Sequence, residues 1–427
     1  MNETTRFRLR TFLRYTTLGV FGILFLTLVW ACAGVPDIRE EASASMIRVP
    51  FIRVLLSETS SAVTIGADAS YAIECLAGGK QQVFYSGRPT FVELDRGRLT
   101  VQNERRETIL SDLDEVNIIP RGNQNRLRFG GKRYRGLVKL APSGSTVKVV
   151  NVLYVEDYLR GVVPPEIGPR VAEEIEAIKA QAVAARTYTM AHLNQYGDEP
   201  FDMKSGVTDQ VYEGADAEVN LVNKAVDATV GRVAVYQDEF ITAYYHSTCG
   251  SMTDNIEAVW DKKELPYLKS VSDDSACSWS KYFNWQENYT EPQLRARIEQ
   301  YLTTEKGREI HIGKIQGITV DQRTAGGRVA KLAIRTEEDV YRFFKDRIRW
   351  VLGRASSPDL ILPSDRFTVE VDNGSGGGVE RIRVLGAGYG HGVGMCQCGA
   401  IGLSRRGWTF DRILKRYYSG IELKQLY

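Results

Sequence analysis

Short runs in which apolar and polar residues alternate constrain the first part of this chain more than any other feature. Glycine-containing turn signals separate the runs, which lie at residues 52–56, 63–65, 91–94, 99–101, 116–119, 127–129 and 137–140. A period of two between glycine turns is typical of antiparallel β-strands. The pattern predicts an N-terminal β domain over residues 51–136, and none of its residues indicates chemistry.

The rest of the chain mixes helical and strand periodicity. Apolar residues three or four apart predict a helix over 171–196, closed by Gly197, and a second helix over 220–230. Strand-like runs are found at 147–155, 233–236 and 240–246. We therefore predict an α+β protein, mostly antiparallel β with a central catalytic helix in a domain of residues 137–427. Within that domain, residues 290–385 are interpreted as an α/β elaboration.

The N-terminus predicts export. Four arginines precede an apolar stretch that runs from Leu18 to Cys32. A basic flank followed by an apolar stretch is typical of a signal peptide. The stretch is shorter than the about 20 residues of a comfortable membrane span, so a cleaved signal is favoured over a retained anchor. Residues 1–36 are interpreted as signal peptide or membrane anchor, and residues 37–50 as a tether. Cys32 leaves lipid attachment as a third alternative for a protein of the cell envelope, in the periplasm or at the outer face of the cytoplasmic membrane.

Charge and cysteine content exclude two classes of protein. The chain of 427 residues has 55 Lys+Arg against 53 Asp+Glu, so it lacks the basic excess of a nucleic-acid-binding protein. Six cysteines are too few for a disulfide-rich scaffold, but they are compatible with one or two bridges in an exported protein.

The carboxyl group of Glu166 is the foremost candidate for chemistry. Glu166 follows Pro164 and Pro165, whose rings restrict the backbone, and it precedes the helix predicted over 171–196. Its apolar neighbours disfavour ionisation, as a general acid working near neutrality requires. A residue at a helix N-terminus would instead be stabilised as the anion, and the spacing alone leaves both alternatives open.

A histidine among alternating glycines marks the C-terminal region. His391 lies within Gly386–Gly394, where glycines let the backbone approach a ligand closely. The spacing matches neither the dinucleotide fingerprint nor the phosphate-binding loop, so nucleotide binding is unsupported. A tightly packed strand is the alternative interpretation.

Five motifs in one order resemble the stage II sporulation protein D and amidase-enhancer family. They are Gly161-Val-Val-Pro-Pro-Glu166, Lys179-Ala-Gln-Ala-Val-Ala-Ala-Arg-Thr-Tyr188, Asp209-Gln-Val-Tyr212, Tyr245-His-Ser-Thr-Cys-Gly250 and Gly388-Tyr-Gly-His-Gly-Val-Gly-Met-Cys-Gln397. The resemblance implies a bacterial envelope protein that acts on peptidoglycan glycan strands as a lytic transglycosylase, with Glu166 at the catalytic position. It also implies a sugar groove lined by Lys179, Gln181, Arg186, Tyr188, Gln210, Tyr212, His246 and His391. For Lys179 and Arg186, a salt-bridged helix face is the alternative.

A lytic transglycosylase can work with one carboxyl group, whereas glycoside hydrolysis ordinarily uses two. Asp209 and Glu213 are the nearest further acids, and we interpret both as solvated or structural. Two alternatives stay open: a non-catalytic glycan-binding enhancer of a cell-wall amidase, and a zinc hydrolase that uses His246 and the cysteines. The expected partners are peptidoglycan, an amidase and, through the N-terminal segment, the membrane.

No cofactor is expected to be required, and a structural zinc ion is left open. Some family members carry zinc just before the Gln-x-Tyr motif, but residues 202–210 contain no soft ligand here. A different thiolate site could be assembled from Cys249, Cys277, Cys396, Cys398 and His246. A disulfide between Cys249 and Cys277 is the favoured alternative in an exported protein.

Overall fold

The structure, a computed structural model, describes residues 49–357, 359–374 and 378–427. The predicted signal or anchor segment and all but the end of the predicted tether lie outside these residues. Among the described residues, no helix is long and apolar enough to cross a membrane.

Two antiparallel sheets form the N-terminal part of the described chain. Their strands are β1 Phe51–Thr59, β2 Val63–Ala67, β3 Tyr71–Ala77, β4 Lys80–Ser86, β5 Thr90–Asp95, β6 Arg98–Gln102, β7 Thr108–Leu113, β8 Glu115–Pro120, β9 Leu127–Phe129, β10 Lys132–Tyr134, β11 Leu137–Ser143 and β12 Thr146–Tyr154. All seven alternating runs of the sequence lie in these strands. In β6, for example, Leu99 and Val101 are fully buried in the core while their neighbours are only partly buried, as a strand with one inward face requires.

One of these sheets crosses the predicted domain boundary. Its order begins with β13 (Met203–Lys204) and continues β1, β12, β11, β8, β3 and β4. The second sheet has the order β10, β9, β2, β5, β6 and β7. Since β11 pairs with β8 on one side and β12 on the other, the residues before and after position 136 share one hydrogen-bonded sheet.

The first helix begins directly after β12, at Val155. The helices are α1 Val155–Ile167, α2 Ile175–Ala191, α3 Asn220–Ala228, α4 Ile256–Val259, α5 Glu291–Lys306, α6 Arg347–Leu352, α7 Gln397–Arg405 and α8 Phe410–Tyr417, with 3-10 turns at Ala172–Glu174 and Gly214–Ala217. Twelve of the residues of α2, from Ala177 to Thr189, are buried. Its alanines let α1, α3, α7 and α8 pack closely around it, so α2 is the central helix that the sequence predicts.

The helix predicted over 171–196 and closed by Gly197 is shorter than expected, because it ends before His192. The ring of His192 stacks on Tyr188 with 3.9 Å between centroids, and its Nδ1 bonds the Tyr188 carbonyl at 2.7 Å. Asn194 then adopts a left-handed backbone with φ of 58°. The chain therefore turns away from the helix axis before it reaches Gly197.

The remaining strands complete a mostly antiparallel α+β fold and confirm that prediction. They are β14 Arg232–Tyr236, β15 Glu239–Phe240, β16 Tyr245–His246, β17 Trp285–Thr290, β18 Ile315–Arg323, β19 Val329–Thr336, β20 Val340–Phe344, β21 Phe367–Asn373, β22 Val379–Gly386, β23 Met395–Cys396 and β24 Glu422–Gln425. Strands β17 to β22 with α5 and α6 enclose a separate hydrophobic core. All of its buried residues except Tyr289 lie within residues 290–385.

The single strand predicted over 240–246 is divided in two. β15 pairs antiparallel with β14, whereas β16 pairs in parallel with β23. The intervening residues 241–244 turn the chain from one sheet to the other. This break places Tyr245 beside the glycine-rich segment around His391, which is 146 residues away along the chain.

Candidate active site

Glu166 lies in the last turn of α1, and not on a turn before a helix as the sequence suggested. Pro164 and Pro165 are inside this helix. Pro165 has no N–H to donate to the carbonyl of Gly161, and that carbonyl instead accepts a hydrogen bond from the backbone N–H of Glu213 at 3.2 Å. Pro165 is tolerated because a neighbouring loop replaces the missing bond.

Glu166 lies at the C-terminal end of a helix and not at the N-terminal end. The C-terminal end of a helix carries partial negative charge, so it does not favour a carboxylate. The alternative of an anion stabilised at a helix N-terminus is therefore wrong. Helix geometry and apolar surroundings both disfavour ionisation of this group.

A close contact between α1 and the loop after residue 209 brings a hydrogen-bond donor to Glu166. Gly161 makes the contact possible, since a Cβ there would stand 2.6 Å from Cε2 of Tyr212. At this distance the loop backbone reaches the carboxyl group, and the N–H of Val211 donates to Glu166 Oε1 at 2.9 Å.

The carboxyl group of Glu166 opens into a cavity of about 300 Å³. Aromatic rings and the side chains of one loop make up most of the wall. The wall residues are Glu166, Tyr188, Val207, Thr208, Asp209, Val211, Tyr244, Tyr245, Trp260 and His391. The cavity therefore combines a proton-transfer group with apolar ring faces.

Burial raises the pKa of Glu166 above the ordinary glutamate value. Hydrogen bonds from the Val211 N–H and from the side chains of Tyr245 and Gln397 lower the pKa and offset part of this effect. Because desolvation dominates, the protonated carboxyl group persists to higher pH than that of an exposed glutamate.

Tyr245 is held against Glu166 by a buried amide. The Tyr245 hydroxyl accepts a hydrogen bond from Gln210 Nε2 at 3.1 Å. Oε1 of Gln210 in turn accepts bonds from the hydroxyls of Tyr158 at 3.2 Å and Thr189 at 3.0 Å. Gln210 therefore positions Tyr245 from the interior and does not line the cavity itself.

His391 lies in the cavity wall, but both of its ring nitrogens have protein partners. Nε2 bonds the carbonyl oxygen of Tyr245 at 3.0 Å, so it carries the proton, and Nδ1 accepts the N–H of Val393 at 3.1 Å. Burial lowers the pKa of His391 to about 4. The imidazole is therefore neutral and presents its ring, and it has no nitrogen free to exchange a proton with a ligand.

His246 points away from the cavity. Successive residues of a strand face opposite sides, so Tyr245 faces Glu166 while His246 faces the interior. Its Nδ1 bonds the carbonyl of Val393 at 3.2 Å, and the residue is 4% exposed. The expectation that His246 lines the groove is therefore corrected.

Four further residues expected in the groove also lie outside the cavity wall. Lys179 forms an ion pair with Glu176 at 2.7 Å on the surface of α2. Gln181 is buried, and its Oε1 accepts a bond from Gln397 at 3.4 Å. Tyr212 is buried, and so is Arg186.

The buried side chains of Arg186 and Tyr212 have structural partners. Arg186 binds Glu156 through two parallel bonds of 2.7 Å, and the hydroxyl of Tyr212 donates to Asn151 Oδ1 at 2.8 Å. Of the residues expected in the groove, Tyr188 and His391 therefore lie in the wall of this cavity together with Glu166.

The two other acids considered as catalytic partners are engaged in local structure. Asp209 lines the cavity, but its Oδ2 accepts bonds from the hydroxyl of Tyr196 at 2.8 Å and from the N–H of Lys204 at 2.7 Å. Glu213 forms an ion pair with Lys132 and is partly exposed.

Sequence analysis did not select Tyr244, Tyr245, Trp260 or Gln397 as site residues. Successive side chains of a strand face opposite sides, so an inward-facing His246 requires that Tyr245 faces the cavity. Alternation could therefore have indicated Tyr245. Gln397 bonds the backbone carbonyl of Glu166 at 3.0 Å from a position 231 residues away. No local pattern signals such a contact, and the same holds for Trp260, which reaches the cavity from the start of an irregular segment.

A larger cavity of about 660 Å³ lies elsewhere, beside β17, β21 and β22. Its wall contains no carboxyl group and consists of Asn284, Trp285, Gln286, Arg323, Gly327, Arg366, Phe367, Thr368, Leu385, Gly386 and Ala387. Size alone would favour this cavity, but the chemistry of the side chains favours the one at Glu166.

Fold and site together define an α+β protein with a single available carboxyl group at a helix end, in an aromatic-lined cavity. A family model described as "Stage II sporulation protein" matches residues 143–236, which include this helix, and a domain of unknown function matches residues 274–394. The chain belongs to the stage II sporulation protein D family, as its motifs predicted.

Relatives cover most of the chain. It is 33% identical over 317 residues to an uncharacterized protein of Brachyspira hyodysenteriae. That alignment covers 73% of this chain and 78% of the relative. It is 31% identical over 286 residues to stage II sporulation protein D of Bacillus subtilis, in an alignment that covers 64% of this chain and 74% of that protein.

The amidase enhancer of Bacillus subtilis is a longer relative. Identity is 27% over 401 residues, which is 84% of this chain but 53% of the enhancer. The chain therefore spans about half the length of that protein.

Proposed function

We propose that this protein is an exported lytic transglycosylase that cleaves peptidoglycan glycan strands, with Glu166 acting first as acid and then as base. The observation that carries the proposal is the partly buried Glu166 carboxyl group, with its raised pKa, at an aromatic-lined cavity. Membership of the stage II sporulation protein D family supports it.

One carboxyl group is sufficient for this reaction. Protonated Glu166 donates its proton to the glycosidic oxygen as the bond from the anomeric carbon to that oxygen breaks, and the leaving sugar departs as an alcohol. The C6 hydroxyl of the muramic acid then attacks the anomeric carbon, and the Glu166 carboxylate accepts its proton. The products are a shortened strand and a 1,6-anhydro end, and no water is consumed.

The environment of Asp209 favours this route over hydrolysis. A hydrolase needs a second carboxylate to activate water or to attack the anomeric carbon. Asp209 is the other carboxylate in the cavity wall, and its hydrogen bonds to Tyr196 and Lys204 hold the loop in place.

The cavity wall suits a sugar polymer. The rings of Tyr188, Tyr244 and Trp260 offer apolar faces beside Glu166, and sugars present apolar C–H faces of matching size. His391 adds a neutral ring that lies 4.8 Å from that of Trp260, centroid to centroid.

A second candidate function follows from the amidase enhancer among the relatives. In that case the cavity would dock a glycan strand without cleaving it, and a partner amidase would do the chemistry. Purified protein incubated with sacculi, with and without a cell-wall amidase, separates the two. We expect 1,6-anhydro products without the amidase, detected by mass spectrometry of the soluble fraction. Stimulated amidase activity without anhydro products would instead establish the enhancer.

The pH dependence of turnover tests the proton donor independently. The acid must start protonated, so kcat/KM should fall as pH rises through the pKa of Glu166. The Tyr245 hydroxyl lowers this pKa by hydrogen bonding. Tyr245→Phe should therefore move the falling limb to higher pH.

Tyr244→Phe is the matched control for this pH profile. Its ring also lines the cavity, but its hydroxyl bonds Lys262 at 2.5 Å and not Glu166. The limb should stay in place in this variant. A limb that does not move in Tyr245→Phe, or that moves equally in both variants, would show that Glu166 does not set it.

A further inference from the structure

A cluster of sulfur and oxygen atoms lies in the interior close to the candidate active site. One potential ligand atom from each of Cys249, Asp273, Cys277 and Cys396 lies within 4.8 Å of all the others, and all four residues are buried. Cys249 follows β16, Cys396 ends β23, and the other two belong to one turn. The cluster therefore joins three separate segments of the chain.

The spacing of the atoms fits a tetrahedral metal ion. Sγ of Cys249 lies 3.6 Å from Sγ of Cys277 and 3.1 Å from Oδ2 of Asp273. Zinc–sulfur bonds of about 2.3 Å in tetrahedral geometry place two sulfurs about 3.8 Å apart. Small side-chain adjustments would bring all four atoms to one ion.

Two buried polar atoms at the cluster have no protein partner among the described residues. They are Oδ1 of Asp273 and the hydroxyl of Tyr417, and both residues are fully buried or nearly so. A Cβ on Gly399 would stand 2.1 Å from the Tyr417 hydroxyl, 3.0 Å from Asp273 Oδ2 and 3.2 Å from Cys396 Sγ, so the hydroxyl borders the cluster. Buried polar groups without partners are rare, and a cation bound by the Asp273 carboxyl group would account for the burial of that group.

Hydrogen-bond donors and cationic side chains surround the sulfur atoms of the cluster. Sγ of Cys396 accepts the backbone N–H groups of Cys249 and Gly399, each at 3.2 Å. The guanidinium groups of Arg328 and Arg366 interact electrostatically with Cys249. Hydrogen-bond donors and positive charge around the ligands are the outer shell that a thiolate-rich metal site requires.

We propose that Cys249, Asp273, Cys277 and Cys396 bind a structural Zn²⁺ ion. Three thiolates and one carboxylate fill a tetrahedral shell, and their burial leaves no open position for a substrate. This site differs from the zinc site that some relatives carry before the Gln-x-Tyr motif, since residues 202–210 contain no cysteine or histidine here.

The site would connect two strands that hold the Glu166 cavity. Cys396 precedes Gln397, whose side chain bonds the carbonyl of Glu166 at 3.0 Å. Cys249 lies on the segment that continues from Tyr245 and pairs through Thr248 with Tyr389. An ion at the cluster would therefore fix Tyr245 and Gln397 relative to Glu166 from behind the cavity.

Metal content and thiol state distinguish this site from the disulfide that the sequence favours. Cys249 and Cys277 are free in the structure. We expect the purified full-length chain to contain about one zinc per molecule by elemental analysis. After exchange into Co²⁺, it should show the strong near-ultraviolet absorption of thiolate coordination. Both measurements use the unaltered protein, so they do not depend on a variant that folds.

Substitutions then assign the ligands. Cys396→Ser and Cys277→Ser should each lose most of the zinc and of the cobalt absorption. Cys398→Ser is the matched control, since Cys398 is two residues from Cys396 and lies outside the cluster, and Cys75→Ser tests a distant buried thiol. Both control variants should keep the metal.

Three results would overturn the proposal. The first is unaltered protein without zinc that does not take up Co²⁺. The second is a Cys249–Cys277 disulfide, found by peptide mapping after alkylation without reductant. The third is metal that persists in Cys396→Ser. None of these results depends on whether Glu166 cleaves glycan strands.

Discussion

Glu166→Gln is expected to abolish the release of 1,6-anhydro products from sacculi while the protein still binds them. Glutamine keeps the size of the side chain and one oxygen that can accept a hydrogen bond, but it cannot give a proton to the glycosidic oxygen. A positioned general acid contributes about 10²–10⁴-fold to a rate, and Glu166 serves as both acid and base, so we expect at least the upper end of that range. Product mass spectrometry and a sacculus pull-down measure the two properties separately.

Glu213→Gln is the control for this change. Glu213 is partly exposed and paired with Lys132, and it does not line the cavity, so the variant should keep its activity. Retained turnover in Glu166→Gln, or an equal loss in Glu213→Gln, would refute the assignment of the acid.

Stability of the Glu166→Gln variant separates loss of chemistry from loss of fold. Burial raises the pKa of Glu166 in the folded state. The contribution of a group with a raised pKa is present below its unfolded pKa and is lost as pH rises through its folded pKa. Above its unfolded pKa the Glu166 carboxyl group therefore costs stability, and the neutral amide removes this cost. Thermal unfolding should show a variant at least as stable as the original protein.

Arg186→Met is expected to lower the free energy of unfolding by about 3–5 kcal/mol, because it removes one partner of a buried ion pair. The Arg186 side chain is fully buried, and that of Glu156 is 12% exposed. Without the guanidinium group, the Glu156 carboxylate keeps two hydrogen bonds within the part of the chain that the structure describes, from the Tyr427 hydroxyl at 2.5 Å and from the N–H of Gly231 at 3.2 Å. Urea titration followed by circular dichroism measures the change.

Lys179→Met is the matched control on the same helix. Lys179 is partly exposed, and it forms its ion pair with Glu176, which is three residues away in sequence. The free energy of unfolding should therefore change by less than about 0.5 kcal/mol. A sugar-binding role for Arg186 predicts a different result. In that case Arg186→Met would unfold like the original protein and would lose affinity for sacculi.

Three of the corrected residues share one physical cause. Arg186, Gln181 and Tyr212 are large and polar, and the family resemblance implied that each lines the sugar groove, since amides, cations and aromatic rings suit sugars. In this fold, long-range partners satisfy them: Glu156 lies 30 residues from Arg186, and Gln397 lies 216 residues from Gln181. Such pairings cannot be recognised in a single sequence.

Local patterns were sufficient for part of the elements and for the family. Alternation identified seven strands between residues 51 and 143, helical periodicity identified α2 and α3, and the ordered motifs around Glu166 and His391 identified the family. Each of these signals depends on neighbours within a few residues, where the pleat of a strand and the turn of a helix set the period.

Only the tertiary structure decided what surrounds Glu166. Its place at the end of α1, its bond from Val211 and its contacts with Tyr245 and Gln397 depend on segments that are distant in sequence. The same holds for the four residues of the cysteine cluster. Sequence determined which groups are present and which local structure carries them, whereas their pKa values, partners and exposure were decided by chain packing, because burial and hydrogen bonding act through space.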